Sequence, residues 1–244
     1  MTTTGRIGIL VPSSNTTVEP EFYRALPAGV TVHAARLYLT KIEPGSIQAI
    51  VDELDRAASL LATADVDVIM LAATAPSFLK GRGYDRELIG RIEEVTGKRA
   101  TTTSTAMLRA LDAMHARRVA LGSAYTETVN DVAAAFVEAN GFEIVAKGCL
   151  GYEDNLVVGR LDVETAYELG RRVDRPEADA VLLACTNWQT MAVIERLEQA
   201  IGKPVLSTSQ VSVWDALRQI GYRQPVPGYG RLLAEMPEFM EGEM

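Results

Sequence analysis

Two stretches of this chain match without a gap, and they differ at a position where chemistry could happen. Asp65–Thr74 reads DVDVIMLAAT and Glu177–Thr186 reads EADAVLLACT, which sets Ala73 in register with Cys185. A thiol can donate a proton, remove one or attack carbon; a methyl group can do none of these. Further pieces repeat in the same order: Arg6–Val18 with Arg118–Val129, and Gly97–Leu111 with Gly202–Leu217. Self-similarity at so long a period predicts two similar lobes rather than a solenoid of short repeats. If the lobes face each other about a pseudo-twofold axis, equivalent strand ends meet across one cleft. That cleft carries a thiol on one side and a methyl group on the other.

The elements that must hold this pair in place are strands and helices in alternation. Strand-like runs are Arg6–Val11, Thr31–Leu37, Asp67–Ala72, Arg118–Gly122, Glu143–Ala146, Ala180–Ala184 and Pro204–Leu206. Helical periodicity marks Ser46–Ala64, Asp85–Val95, Ser104–Met114, Glu127–Asn140, Val163–Val173, Thr190–Ala200 and Ser209–Ile220. Alternation of this kind means βαβ units, with parallel sheets covered on both faces. The expected fold is therefore α/β, with two Rossmann-like lobes. Lobe one is expected over residues 1–112, completed by a C-terminal crossover of residues 209–244, and lobe two over residues 113–208.

In open parallel sheets, ligands bind beyond the carboxyl ends of the strands. The residues there are Pro12-Ser13-Ser14-Asn15, Ala73-Thr74-Ala75-Pro76-Ser77, Ser123-Ala124-Tyr125-Thr126 and Cys185-Thr186-Asn187. Hydroxyls and amides dominate and charged side chains are scarce. Loops of this kind at helix starts hold carboxylates through backbone N–H groups and hydroxyls.

Composition excludes several classes. The chain has 244 residues, 48% of them hydrophobic, and a formal charge of −8 with no basic cluster. A cationic face for nucleic acid is missing. Ile7–Val11 is too short for a membrane span or a secretory core, so the expected setting is cytoplasmic. Two histidines, neither in a motif, argue against a zinc site and a Ser-His-Asp triad. Pro12-Ser13-Ser14-Asn15 stands where a dinucleotide site needs its glycines, and no Walker sequence occurs. Neither a metal nor a nucleotide cofactor is expected. Cys149 matches no motif in the other half and reads as a small buried hydrophobe; Trp188 and Trp214 read as packing residues.

Cys185-Thr186-Asn187 after an apolar strand, with the half-site Ala73-Thr74, resembles the aspartate/glutamate racemase superfamily. Within it, Pro12–Glu19 (PSSNTTVE) and Asp154–Gly159 (DNLVVG) are similar to motifs of maleate cis-trans isomerases. Ala73–Phe78 (ATAPSF), Thr102–Ala106 (TTSTA), Arg117–Leu121, Ala124-Tyr125, Trp214-Asp215-Ala216 and Pro227–Leu232 (PGYGRL) are similar to arylmalonate decarboxylases. The ordered set covers nearly the whole chain.

The resemblance implies cofactor-free chemistry at a carbon next to a carboxylate. Racemases and maleate isomerases of this superfamily use two facing thiols, whereas arylmalonate decarboxylases keep only the second. Ala73 with Cys185 fits the one-thiol pattern. The implied substrate is a substituted malonate or related small dicarboxylate. Cys185 is the implied proton donor, and Thr74, Tyr125 and the N–H groups of Ala75 and Thr186 are the implied dioxyanion donors. Pro12 and Pro76 are expected to wall the pocket, Asn15 and Asn155 to bind substrate, and Ser14, Ser77 and Thr126 to line the site. Ala75 stands where the decarboxylases have serine, and Thr186 where they have glycine beside the cysteine. Both departures point away from an aryl malonate, and Asn15 and Asn155 point to a smaller, more polar diacid. Two other readings stay open: an isomerase or racemase on the same fold, and a non-catalytic small-acid binding protein. The sequence leaves the oligomeric state open.

Overall fold

Aliphatic and β-branched runs become strands here because helices cover both faces of each parallel sheet, so neither face needs polar residues. The computed structural model describes residues 4–39, 41 and 44–239. Strands β1 (Gly5–Pro12), β2 (Val30–Leu37), β3 (Val68–Leu71) and β4 (Arg99–Thr102) form one sheet in the order β2-β1-β3-β4. Strands β5 (Arg118–Ser123), β6 (Glu143–Cys149), β7 (Ala180–Ala184) and β8 (Val205–Ser207) form a second in the matching order β6-β5-β7-β8. Every pairing is parallel. The central strands β3 and β7 are buried along their whole length. Their register leaves Ala73 and Cys185 just past the carboxyl ends, beside the ends of β1 and β5 respectively.

Helices α1 (Val18–Ala25), α2 (Pro44–Ala62), α3 (Thr74–Phe78), α4 (Tyr84–Thr96) and α5 (Thr103–Ala113) belong to the first half of the chain. The second half holds α6 (Glu127–Ala139), α7 (Asn155–Val158), α8 (Glu164–Val173), α9 (Ile194–Ile201), α10 (Thr208–Gln219) and α11 (Arg231–Glu235). Helix α10 lies against α5, β3 and β4 as well as β7 and β8. Its fully buried Asp215 accepts from Thr101 Oγ1 at 2.5 Å and pairs with Arg109 at 3.1 Å. A buried carboxylate needs such partners to keep its charge. The segment after α10 touches both halves: Tyr229 donates to the Arg24 carbonyl, and the Arg231 N–H to Glu198 on α9. Residues 1–3, 40, 42–43 and 240–244 of the expected first lobe lie outside the described residues.

Several expectations need correction. Arg99–Thr102 (RATT) is a strand that hydropathy misses, because its threonines bury their methyl groups while Thr101 and Thr102 hydroxyls bond to Asp215 and Thr105. Pro204–Leu206 is displaced by one residue, since β8 begins after the proline, which has no N–H to give a ladder. The run Thr190–Ala200 splits into a 3₁₀ turn, Met191–Val193, and then α9. Helix α1 forms despite Pro20, which sits in the first turn where no internal N–H bond is lost. Cys149 is half-buried rather than enclosed, whereas Trp188 and Trp214 are fully buried in the core. Among the described residues, no helix is long and apolar enough to cross a membrane.

Candidate active site

The ends of β3 and β7 border a single pocket. It is lined by Pro12, Asn15, Leu39, Ala73, Thr74, Ala75, Pro76, Tyr125, Asn155, Cys185, Thr186 and Asn187, and holds about 330 Å³ of atom-free space, part of it open to solvent. The chain therefore gathers ten sequence-predicted residues from four separate strand ends and from α7.

The start of α3 lies at the pocket. Ala73 is extended (φ −145°, ψ 110°) and serves as the N-cap of α3, with no side-chain cap over the first turn. The amides of that turn, Ala75 among them, have no partner inside the helix. Thr74 Oγ1 is buried and makes no hydrogen bond of good geometry within the protein. A buried hydroxyl without a partner costs free energy that a ligand can return. Tyr125 reaches the pocket from the end of β5 and packs edge-on against Phe78 of α3, ring centroids 6.3 Å apart. A helix of the first half thus aims an aromatic ring of the second.

Cys185 is 4% exposed. Burial pushes its thiol from an ordinary 9.0 up to about 11, against the opposing pull of the Asn187 amide, the Tyr125 hydroxyl and the Trp188 amide. Tyr125 is raised well above its usual value, first by burial and then by the neighbouring thiol. Both groups are neutral and protonated near pH 7. The arrangement therefore offers a thiol that can give a proton, with amides and a phenol ready to hold the thiolate it leaves.

The asparagines tie the loops together. Asn15 Oδ1 accepts the Thr17 and Val18 N–H groups, and its Nδ2 donates to Thr186 Oγ1 at 3.2 Å. Asn155 Nδ2 donates to Ser14 Oγ at 2.8 Å. Asn187 Oδ1 accepts the Thr16 N–H at 2.8 Å while its Nδ2 donates to the Asn155 carbonyl at 2.6 Å. Each of Asn15 and Asn155 spends one amide hydrogen on this frame. Downstream, Glu21 of α1 accepts the Thr190 and Met191 N–H groups through Oε1. Burial raises Glu21 from 4.5 to about 7, partly offset by the Ser209 hydroxyl and the Met191 and Thr190 amides.

Three expected lining residues fall outside the pocket. Ser14 turns its hydroxyl to Asn155 instead. Ser77 is fully buried and bonds to the Ala73 and Thr74 carbonyls and to Ser104 Oγ, as helix hydroxyls commonly do. Thr126 is the half-buried N-cap of α6, and its side chain makes no cap bond. Conversely, Leu39 and Asn187 line the pocket without having been expected there. Asn187 was legible as part of the Cys-Thr-Asn loop; Leu39 follows β2, a strand end whose composition carries no signal. Among the described residues, no group of three or more His, Cys, Asp or Glu side chains is placed to hold a metal ion.

Comparison with known proteins bears on the same residues. The arylmalonate decarboxylase family model matches residues 7–233, which takes in both strand ends and every pocket residue. The chain belongs to this family. It is 34% identical over 237 residues to the arylmalonate decarboxylase of Bordetella bronchiseptica, covering 95% of this chain and 98% of that one. It is also 30% identical over 247 residues to a maleate isomerase of Pseudomonas putida, covering 96% and 99%. A variant of the maleate isomerase Iso from Pseudomonas putida S16, solved with maleate, superposes with a TM-score of 0.91 at 26% identity, covering 95% of this chain and 98% of that one. Two parallel four-stranded sheets flanked by helices are thus shared with enzymes of both activities. The protein is an enzyme of this decarboxylase and isomerase group.

Proposed function

We propose that this enzyme is a cofactor-independent decarboxylase of a substituted malonate or related small dicarboxylate, with Cys185 as its one proton donor. A single observation carries the reading: Ala73 lines the pocket at the strand end equivalent to that of Cys185. No base or nucleophile stands at that position; of the hydroxyls nearest in sequence, Thr74 is an alcohol with no basic group bonded to activate it among the described residues, and Ser77 is committed to backbone carbonyls.

The retained carboxylate of the substrate sits against Thr74, Tyr125 and the N–H groups of Ala75 and Thr186. The other carboxylate lies against the apolar side chains of Pro12, Leu39 and Pro76. The bond from the α-carbon to that carboxylate breaks, CO2 leaves, and the electron pair remains on the α-carbon and the retained carboxylate. Donors fixed in advance around that enediolate lower the barrier, usually as the largest single contribution. The Cys185 thiol then gives its proton to the α-carbon. The resulting thiolate is held by the Asn187 and Trp188 amides and Tyr125, and takes a proton from solvent.

The polar pair Asn15 and Asn155 in the same pocket favours a second reading, a cis-trans isomerase acting on a small diacid such as maleate. Both readings are separated by incubating the protein in D2O with malonates, maleate and amino acids, followed by NMR. Decarboxylation gives one α-deuteron per CO2 released. Conversion of maleate to fumarate without malonate turnover would replace the proposal with the isomerase reading, and no turnover of any compound would favour a binding protein.

A further inference from the structure

Cys185 has φ = 133°, a conformation that side chains of L-residues rarely adopt. Its counterpart Ala73 is an ordinary extended residue at φ −145°. Equivalent strand ends therefore reach one pocket with different backbones, and a local contact must hold the strained one. The Cys185 N–H donates to Thr208 Oγ1 at 3.0 Å. Thr208 is 1% exposed and opens α10 directly after its N-cap, Ser207. In the other half, Thr103 opens α5 after its N-cap, Thr102, yet bonds differently. Its hydroxyl donates to the Leu71 carbonyl at 3.2 Å and lies 2.9 Å from Ser212 Oγ. Ser212 in turn donates to the Thr208 carbonyl at 2.8 Å, so the clamp is itself anchored. The Cys185 carbonyl is also held, by the Trp188 N–H at 3.1 Å.

We propose that Thr208 is the positioning residue for Cys185: its hydroxyl oxygen, by accepting the Cys185 N–H, holds the strained turn that sets the thiol beside Tyr125 and over the Asn187 and Trp188 amides. The catalytic consequence rests on the proton-donor reading above, whereas the structural one does not. Valine has the shape of threonine without the acceptor, so Thr208→Val frees the Cys185 amide to turn away. Serine keeps the acceptor.

The test compares Thr208→Val and Thr208→Ser in a Cys149→Ala background. Two readouts are used: the pH profile of Cys185 alkylation by iodoacetamide, and turnover of a small prochiral malonate, 2-methyl-2-vinylmalonate, with the enantiomeric excess of its product. Thr208→Val is expected to change the alkylation rate at least about tenfold. It should lower kcat by about 10–10²-fold with KM within threefold, as a small misplacement of a reacting group does. Enantiomeric excess should fall as solvent replaces the thiol as proton source, and serine should restore all three. A valine variant with wild-type alkylation and turnover, or a serine variant as impaired as the valine one, overturns the proposal. If the wild type turns over none of a panel of malonates while valine alters alkylation and serine restores it, Thr208 positioning stands and the decarboxylase reading falls. Should Thr208→Val not fold, Cys185→Gly against Cys185→Ala decides the strain directly. Glycine relieves a positive φ and is expected to melt about 2–4 °C or more above alanine; alanine melting as high or higher refutes the strained clamp.

Discussion

Deprotonation of Cys185 is the perturbation that most directly tests a proton-donor site. An ordinary thiol with a value of 9.0 is half ionised at pH 9, whereas Cys185, at about 11, is ionised in roughly one molecule in a hundred there. The folded state keeps a proton that the unfolded chain gives up. Stability from this group is therefore fully present below pH 9 and is lost as pH rises from about 9 to about 11, by about 3 kcal/mol in all. Two assays read the same quantity. Alkylation of Cys185 in a Cys149→Ala background should lag a model thiol about 50-fold at pH 9 and converge only near pH 11, beyond the difference due to access, which the ratio to a cysteine-peptide control at the highest pH calibrates. Denaturant unfolding of the same protein should weaken between pH 9 and 11 relative to Cys185→Ser, which has no thiol to ionise. A Cys185 that titrates below about 7 would be mostly thiolate at neutral pH. The site would then be built for nucleophilic attack, and the proton-donor mechanism would be wrong.

Cys185→Ala should lower turnover by about 10²–10⁴-fold, the usual cost of losing a general acid, while Cys149→Ala leaves it intact. Ala73→Cys places a second thiol across the pocket and should introduce deuterium exchange at the α-carbon of a bound carboxylate product, read by NMR; absence of exchange counts against facing strand ends acting as acid and base. Glu21→Gln should remove a pH dependence of stability. The raised value of about 7 means that the stability contribution is present below pH 4.5 and lost as pH rises through 7, so urea unfolding of the variant should lack that slope. Asn187→Ala leaves the Thr16 N–H and the Asn155 carbonyl without partners and should cost about 2–4 kcal/mol, or roughly 5–15 °C in melting temperature by calorimetry.

Much of the architecture was legible because local periodicity and the duplicated pattern agree. Val68–Leu71 and Ala180–Ala184 read as buried parallel strands from their unbroken aliphatic runs, and the match of Ala73 with Cys185 located the pocket. Arg99–Thr102 escaped notice because threonine hides its burial: the methyl packs, and only tertiary partners such as Asp215 satisfy the hydroxyl. Ser14, Ser77 and Thr126 show the opposite failure. Their polar types suited a ligand site, but a hydroxyl bonds to whichever acceptor or donor the fold brings nearest, and for Ser14 and Ser77 that was protein.

The residue order by itself determined that there are two alike halves, that one strand end carries sulfur and the other only a methyl group, and that the strand-end loops are neutral and hydroxyl-rich. Those are properties of covalent sequence and of periods that any burial must respect. How far the thiol is ionised depends on tertiary structure, because ionisation follows how completely the surrounding chain removes water. Burial beneath loops from both halves favours the protonated form of Cys185, and its N–H, in a backbone at positive φ, donates to Thr208, distant in sequence. No local pattern encodes either, since both arise only when segments far apart in the chain meet.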